Sequence, residues 1–177
     1  MIKRRCINKK ADVMGMPFAV IFSVILIAFF LAAALFAIKH FMDIKKCTEV
    51  GMFLEDLETE INHAWASQSY DNKDEPFTRA LPSGIKKVCF ANLSQESREA
   101  SKDEKLILDE LKKNPYYEDN LFFYPQKGAG DCISYYYIKH VNVSELSNPY
   151  CIENKDGKVK VIIKKGFYDA LVKVSRT

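Results

Sequence analysis

The stretch "MPFAVIFSVILIAFFLAAALFAIKHFMDIKKCTEVGMFLEDLETEINHAWASQ", Met16 to Gln68, decides how the rest of the chain is read. From Phe18 through Ile38 it holds 21 residues, of which only Ser23 is polar. At about 1.5 Å per residue these make roughly 32 Å of helix, the thickness of a bilayer's hydrocarbon core. A core helix of a small globular domain keeps a polar face; Val24 through Leu31 leave none, being apolar in every direction around the axis. A cleavable secretory signal has a shorter apolar region, about 7 to 15 residues, closed by a small-x-small site. Ala32-Ala33-Ala34 imitates that site, but apolar residues continue to Ile38. The sequence therefore predicts an uncleaved transmembrane helix over 17–39, with Pro17 in a first turn where its missing N–H costs nothing.

Beyond the span the pattern changes without a break. Val50, Phe53, Leu54, Leu57, Ile61, Ala64 and Trp65 recur at steps of three and four, one apolar stripe on an amphipathic helix over 40–68. Glu49, Glu55, Glu58, Glu60 and Asn62 fall largely elsewhere. No proline interrupts Phe18 to Gln68, and Gly51 is its one glycine. This predicts one continuous helix of about 50 residues, roughly 75 Å long, whose first half sits in lipid and whose second half buries its stripe. The alternative is two helices hinged within His40–Lys46.

Charge sets the expected orientation. Lys3, Arg4, Arg5, Lys9 and Lys10 precede the span, against Lys39, Lys45 and Lys46 after it. Positively charged flanks stay cytoplasmic, so residues 1–16 are expected inside the cell and 40–177 outside it. Residues 13–177 hold 21 basic and 22 acidic side chains. The overall charge of +3 thus belongs to a topogenic tail, and nucleic acid is not an expected partner.

Cys6 lies on the inner side; Cys47, Cys89, Cys132 and Cys151 lie beyond the span. Four cysteines in an exported domain predict two disulfides, because that compartment oxidises thiols. Three pairings are open; Cys132 with Cys151 would close a short loop and leave Cys47 with Cys89. The zinc reading needs close pairs such as C-x-x-C, and none occurs. Asn92-Leu93-Ser94 and Asn142-Val143-Ser144 match the N-glycosylation acceptor pattern.

The remainder, 76–177, reads as short strands with one more helix. "DEPFTRALPSGIKKVCFANL" has two extended runs about Pro82-Ser83-Gly84 and predicts a hairpin. Ser101 and Glu104 form an S-x-x-E capping box ahead of Leu106, Ile107, Leu108 and Leu111, predicting a helix near 102–113 that Asn114-Pro115 stops. "NLFFYPQ", "ISYYYIKHVNV" and the pair "YCIEN" and "KVKVIIKK" across Asp156-Gly157 read as further strands, with "ALVKVSR" at an edge. "SQSYDNKDEP" is the most loop-like stretch. The expected class is α+β: an antiparallel sheet of four to six strands covered by the long helix.

An apolar N-terminal helix that continues as an amphipathic helix and packs on a disulfide-bearing antiparallel sheet resembles the type IV pilin layout across most of the chain. "MGMPFAVIFSVILIAFFL" also resembles small archaeal single-pass membrane proteins. Archaeal pilins carry a basic pair and a small residue before the apolar helix, and the resemblance places such a processing site at Lys9-Lys10-Ala11 followed by Asp12. Here Asp12–Gly15 separates that site from the apolar run, and Met16 stands where pilins carry a glutamate. The tail is therefore expected to be kept, and a cleaved, filament-forming subunit is the alternative.

No catalytic pattern is found: the three histidines belong to no H-E-x-x-H, and no G-x-S-x-G elbow occurs. His63 beside a cysteine such as Cys89 is the residual hydrolase reading, and a packing histidine is the expectation. His40 lies at the outer end of the span. Lys127 to Asp131, with Gly128 and Gly130, lacks the longer phosphate-loop pattern and reads as a turn. Glu55, Asp56, Glu58 and Glu60 read as a solvated face, so neither metal nor cofactor is expected. Tyr135, Tyr136 and Tyr137 are the candidate contact surface. The expected function is non-enzymatic: membrane anchoring with an assembly or surface-interaction role. Its partners are the bilayer and neighbouring membrane or pilin-like subunits, met through the small-residue surface of Ser23, Ala28, Ala32, Ala33 and Ala34. A membrane-tethered module that binds a ligand as a monomer is the competing reading.

Overall fold

The computed structural model describes residues 15–113, 118–130, 132–143 and 145–176. The basic tail with Lys10, Ala11 and Asp12, the helix stop at Asn114-Pro115, and Ser144 lie outside the described residues. The chain divides after Met42 into two units, the second being Asp43–Thr177.

Helix α1 spans Gly15–Ala66, and its helical backbone runs through 40–46, where a hinge was the alternative. In the first unit its apolar side chains are exposed, from Phe18 to Met42. The most apolar window of the helix has a mean hydropathy of 2.9 and is wholly unburied. The helix is long and apolar enough to cross a membrane.

In the second unit the same helix buries its stripe. Val50, Phe53, Leu54, Leu57, Ile61 and Ala64 are all buried. Trp65, expected in the stripe, is not: it stands at the margin, 43% exposed, its ring stacked on His140 with centroids 3.8 Å apart.

Among the described residues eight short strands follow: β1 (Tyr70–Asp71), β2 (Phe77–Ala80), β3 (Lys87–Phe90), β4 (Leu121–Tyr124), β5 (Tyr135–Tyr136), β6 (Tyr150–Glu153), β7 (Lys158–Lys165) and β8 (Lys173–Ser175). The architecture is α+β, but with two four-stranded antiparallel sheets where one was expected. In the first, β7 carries β2 and β1 on one side and β8 on the other; the second runs β5-β4-β3-β6. β1 falls inside the stretch read as a loop.

The hairpin expected across Pro82-Ser83-Gly84 does not form. β2 pairs with β7, while β3 pairs with β4 and β6. Residues 81–86 make too long a connection for a two-residue turn to impose pairing. They cross between sheets instead: Leu81 N–H donates to Gly157 O and Lys86 N–H to Tyr124 O. Across Asp156-Gly157 the expected turn does form, with both residues at positive φ (53° and 73°), the conformation of a type I′ turn. The strands it joins then part, β6 to β3 and β7 to β2.

Helix α2 (Lys102–Leu111) starts at the expected capping box: Ser101 Oγ accepts the Glu104 N–H, and Glu104 Oε2 accepts the Ser101 N–H. The second sheet is buried on both faces, which explains its continuous apolar runs "VCF" and "LFF". Val88, Phe90, Leu121, Phe123 and Ile152 join the α1 stripe in one cluster, which also takes in Val159, Val161 and Ile163 of the first sheet. The alternate residues Cys89, Phe122 and Cys151 pack with Ile107, Leu108 and Leu111 of α2.

Candidate functional site

The structure pairs Cys47 with Cys132 and Cys89 with Cys151. The short loop of Cys132 with Cys151 is not used. Cys89 and Cys151 are register partners on adjacent antiparallel strands, with Cα atoms 4.0 Å apart, the close kind of cross-strand pair. Cys47, near the start of the second unit, takes Cys132 in the segment between η1 (Gln126–Ala129) and β5. With Cys89 bonded and buried, the hydrolase reading has no thiol there. His63 is exposed and meets the Tyr70 ring edge-on at 5.5 Å.

The three tyrosines do not share one face. Tyr136 packs against the α1 cluster and donates its hydroxyl to Glu58 Oε2 at 2.7 Å; that carboxylate, with partial burial, raises its pKa. Tyr135 packs against the α2 cluster, and Tyr137 is 53% exposed. Strand alternation accounts for the first two. Glu60 likewise accepts the Tyr70 hydroxyl, and burial together with that carboxylate pushes the phenol up to about 12. Asp56 takes Arg79 at 2.6 Å. Thus three of the four helix acids read as a solvated face tie α1 to later segments.

Asn92 Oδ1 accepts the Ser94 N–H at 3.0 Å, an Asx turn, and Asn142 Oδ1 accepts the Glu145 N–H at 3.3 Å. The glycines near Lys127 have a packing role: a Cβ on Gly84 would lie 2.6 Å from the Gly128 carbonyl oxygen, so two turns touch backbone to backbone.

Sequence reasoning missed two polar centres. Asn148, 3% exposed, accepts the Asn92 N–H and donates to Asn92 O and Glu96 O, all at 3.0 Å. Glu104, 6% exposed, serves more than its capping box: it also takes Arg176 Nη2 at 3.0 Å and the Cys151 N–H. Burial alone would raise its pKa, but the Ser101 hydrogen bonds, Arg176 and the Cys151 amide hold it below the usual glutamate value.

Glu104 and Arg176 border a cleft of about 1150 Å³ where β6 and β7 part. Ile152 and Glu153 line it from β6, Lys158 and Lys160 from β7, and Glu104 and Arg176 from the α2 side. Among the described residues no group of three or more metal-ligating side chains gathers there or elsewhere. No family model, curated protein or solved structure matches the chain.

Proposed function

We propose that this chain is a non-enzymatic, single-pass membrane anchor that displays a pilin-like α+β domain outside the cell, for assembly or surface interaction. The observation that carries the reading is the change of surface along α1. Its apolar side chains are exposed up to Ile44, as lipid tolerates and water does not, and from Val50 onward one stripe of them is buried, with Met52 and Trp65 outside it. The two disulfides beyond Asp43 support an oxidising compartment for that domain. The basic tail supports an inner N-terminus. Retention of that tail makes the anchor permanent, since each of its charges is worth about 1 kcal/mol at an anionic leaflet.

The test is a reporter fused after Thr177 that works on one side of the membrane only. Activity confined to the outer side is expected; cytoplasmic activity overturns the reading. The cleft between β6 and β7 favours a second reading, a tethered domain that captures its partner as a monomer.

A further inference from the structure

The two disulfides differ in access and in what holds their sulfurs together. Cys89 and Cys151 are 0% and 3% exposed, sealed among Ile107, Leu108, Leu111 and Phe122. Cys47 is exposed and Cys132 half-buried. Disulfide exchange requires a thiolate to reach a sulfur, so exposed bonds are the labile ones. Were Cys89–Cys151 opened, its thiols would stay opposed, because β3 and β6 pair through four residues on either side of and including them. Such a pair keeps a high effective concentration and closes again.

Cys47 has no second tie of that kind. Among the described residues the polar contacts of 43–49 stay within the helix: Lys46 pairs with Asp43, Lys45 with Glu49, and Thr48 Oγ1 donates to Ile44 O. Val50 is the first buried side chain of α1 among the described residues. Gly51 lies one turn beyond Cys47, and a Cβ there would meet nothing within 4 Å, so packing does not call for glycine. Inside a helix it costs about 1 kcal/mol relative to alanine, which makes this turn the easiest place for α1 to bend. The Cys132 side, in contrast, is held without the bond. Cys132 packs against the main cluster, Phe123 N–H donates to Ser134 O at 2.9 Å, and Ser134 Oγ donates to Gln126 O at 3.1 Å.

We propose that Cys47–Cys132 is a reversible thiol-exchange site, opened by a dithiol reductant while Cys89–Cys151 stays closed, and that its opening frees residues 43–49 to bend at Gly51. A thiolate of the dithiol attacks the exposed Cys47 Sγ, the disulfide breaks, and Cys132 leaves as a thiolate that takes up a proton. The second thiol of the reductant then attacks the sulfur bonded to Cys47, which leaves and is protonated in turn. The dithiol ends as a disulfide, and Cys47 and Cys132 carry its two hydrogens. Bond closure thus sets the stiffness of the helix through 43–49, and the rest of the second unit keeps its core and its other disulfide. The site goes beyond the anchoring role and does not depend on which side of the membrane the domain occupies.

The experiment treats the folded full chain in detergent micelles with dithiothreitol, traps free thiols by alkylation at intervals, and locates the label by peptide mass. Cys47 and Cys132 should become labelled at least tenfold faster than Cys89 and Cys151. Hydrogen exchange on the chain opened in this way should speed up at least tenfold at the amides of 44–50 and stay unchanged over 54–61, where the stripe is buried. The double variant Cys47→Ser with Cys132→Ser should show the same fast exchange with no reductant, and Gly51→Ala should lessen the acceleration at least threefold. Equal labelling of the two pairs, earlier labelling of Cys89 and Cys151, unchanged exchange at 44–50 after opening, or an acceleration untouched by Gly51→Ala overturns the proposal.

Discussion

Phe53 touches both sheets, its ring 5.8 Å from Phe77 on β2 and 5.9 Å from Phe123 on β4. Its removal would empty the seam where α1 covers the two layers. Phe53→Ala is expected to cost about 3 to 5 kcal/mol in denaturant unfolding of the full chain in micelles. Trp65→Ala, which loses a half-exposed stack on His140, is expected to cost about 1 kcal/mol. Equal losses would contradict this division. Phe53 was legible because it lies within a period-3.6 stripe. Trp65 obeys the same period, and nothing local shows that its ring turns to a histidine 75 positions away. Asn148 was illegible for a related reason. An asparagine before a proline reads as a turn residue, whereas its buried amide here holds the segment from Asn92 to Glu96, more than 50 residues upstream.

At the scale of elements, α2 is fastened by one carboxylate. Glu104 closes the capping box, takes the Cys151 amide on the cleft edge of β6, and pairs with Arg176, whose guanidinium also lies 4.7 Å from the Tyr150 ring. Its pKa is lower folded than unfolded, so the stability it adds is complete above the ordinary glutamate range, near pH 4.3, and is lost as pH falls through the lower folded value. Thermal unfolding between pH 7 and pH 3 should therefore show a steeper acid loss for the native chain than for Glu104→Gln; parallel curves would refute the role. The box itself was readable from Ser101 and Glu104. The partners at Cys151 and Arg176 were not, because they come from β6 and from beyond β8. Strand pairing failed in the same way. Turn chemistry at Asp156-Gly157 correctly fixed two residues, but which strand then lay beside which was decided by burial on β3 and β2, at long range.

For the whole second unit, the two disulfides join segments 85 and 62 residues apart, so each closes a long loop in the unfolded chain. Loops of that size are worth about 4 kcal/mol apiece in chain entropy. Alkylation of the denatured, unreduced protein followed by intact-mass measurement should find four of its five thiols blocked, with Cys6 labelled. Labelling of Cys47, Cys89, Cys132 and Cys151 would reject the pairing. That four cysteines would pair was readable from their place beyond the span; which pairs form depended on β3 and β6 being neighbours. The contact between Gly84 and Gly128 carries a consequence for how this domain can vary. A methyl group at either position collides with main-chain atoms of the other turn, not with a side chain free to swing aside. The two sites, 44 residues apart, therefore make one heritable unit. Drift at one is barred while the other turn holds its course, and a side chain gained at either entails rerouting both.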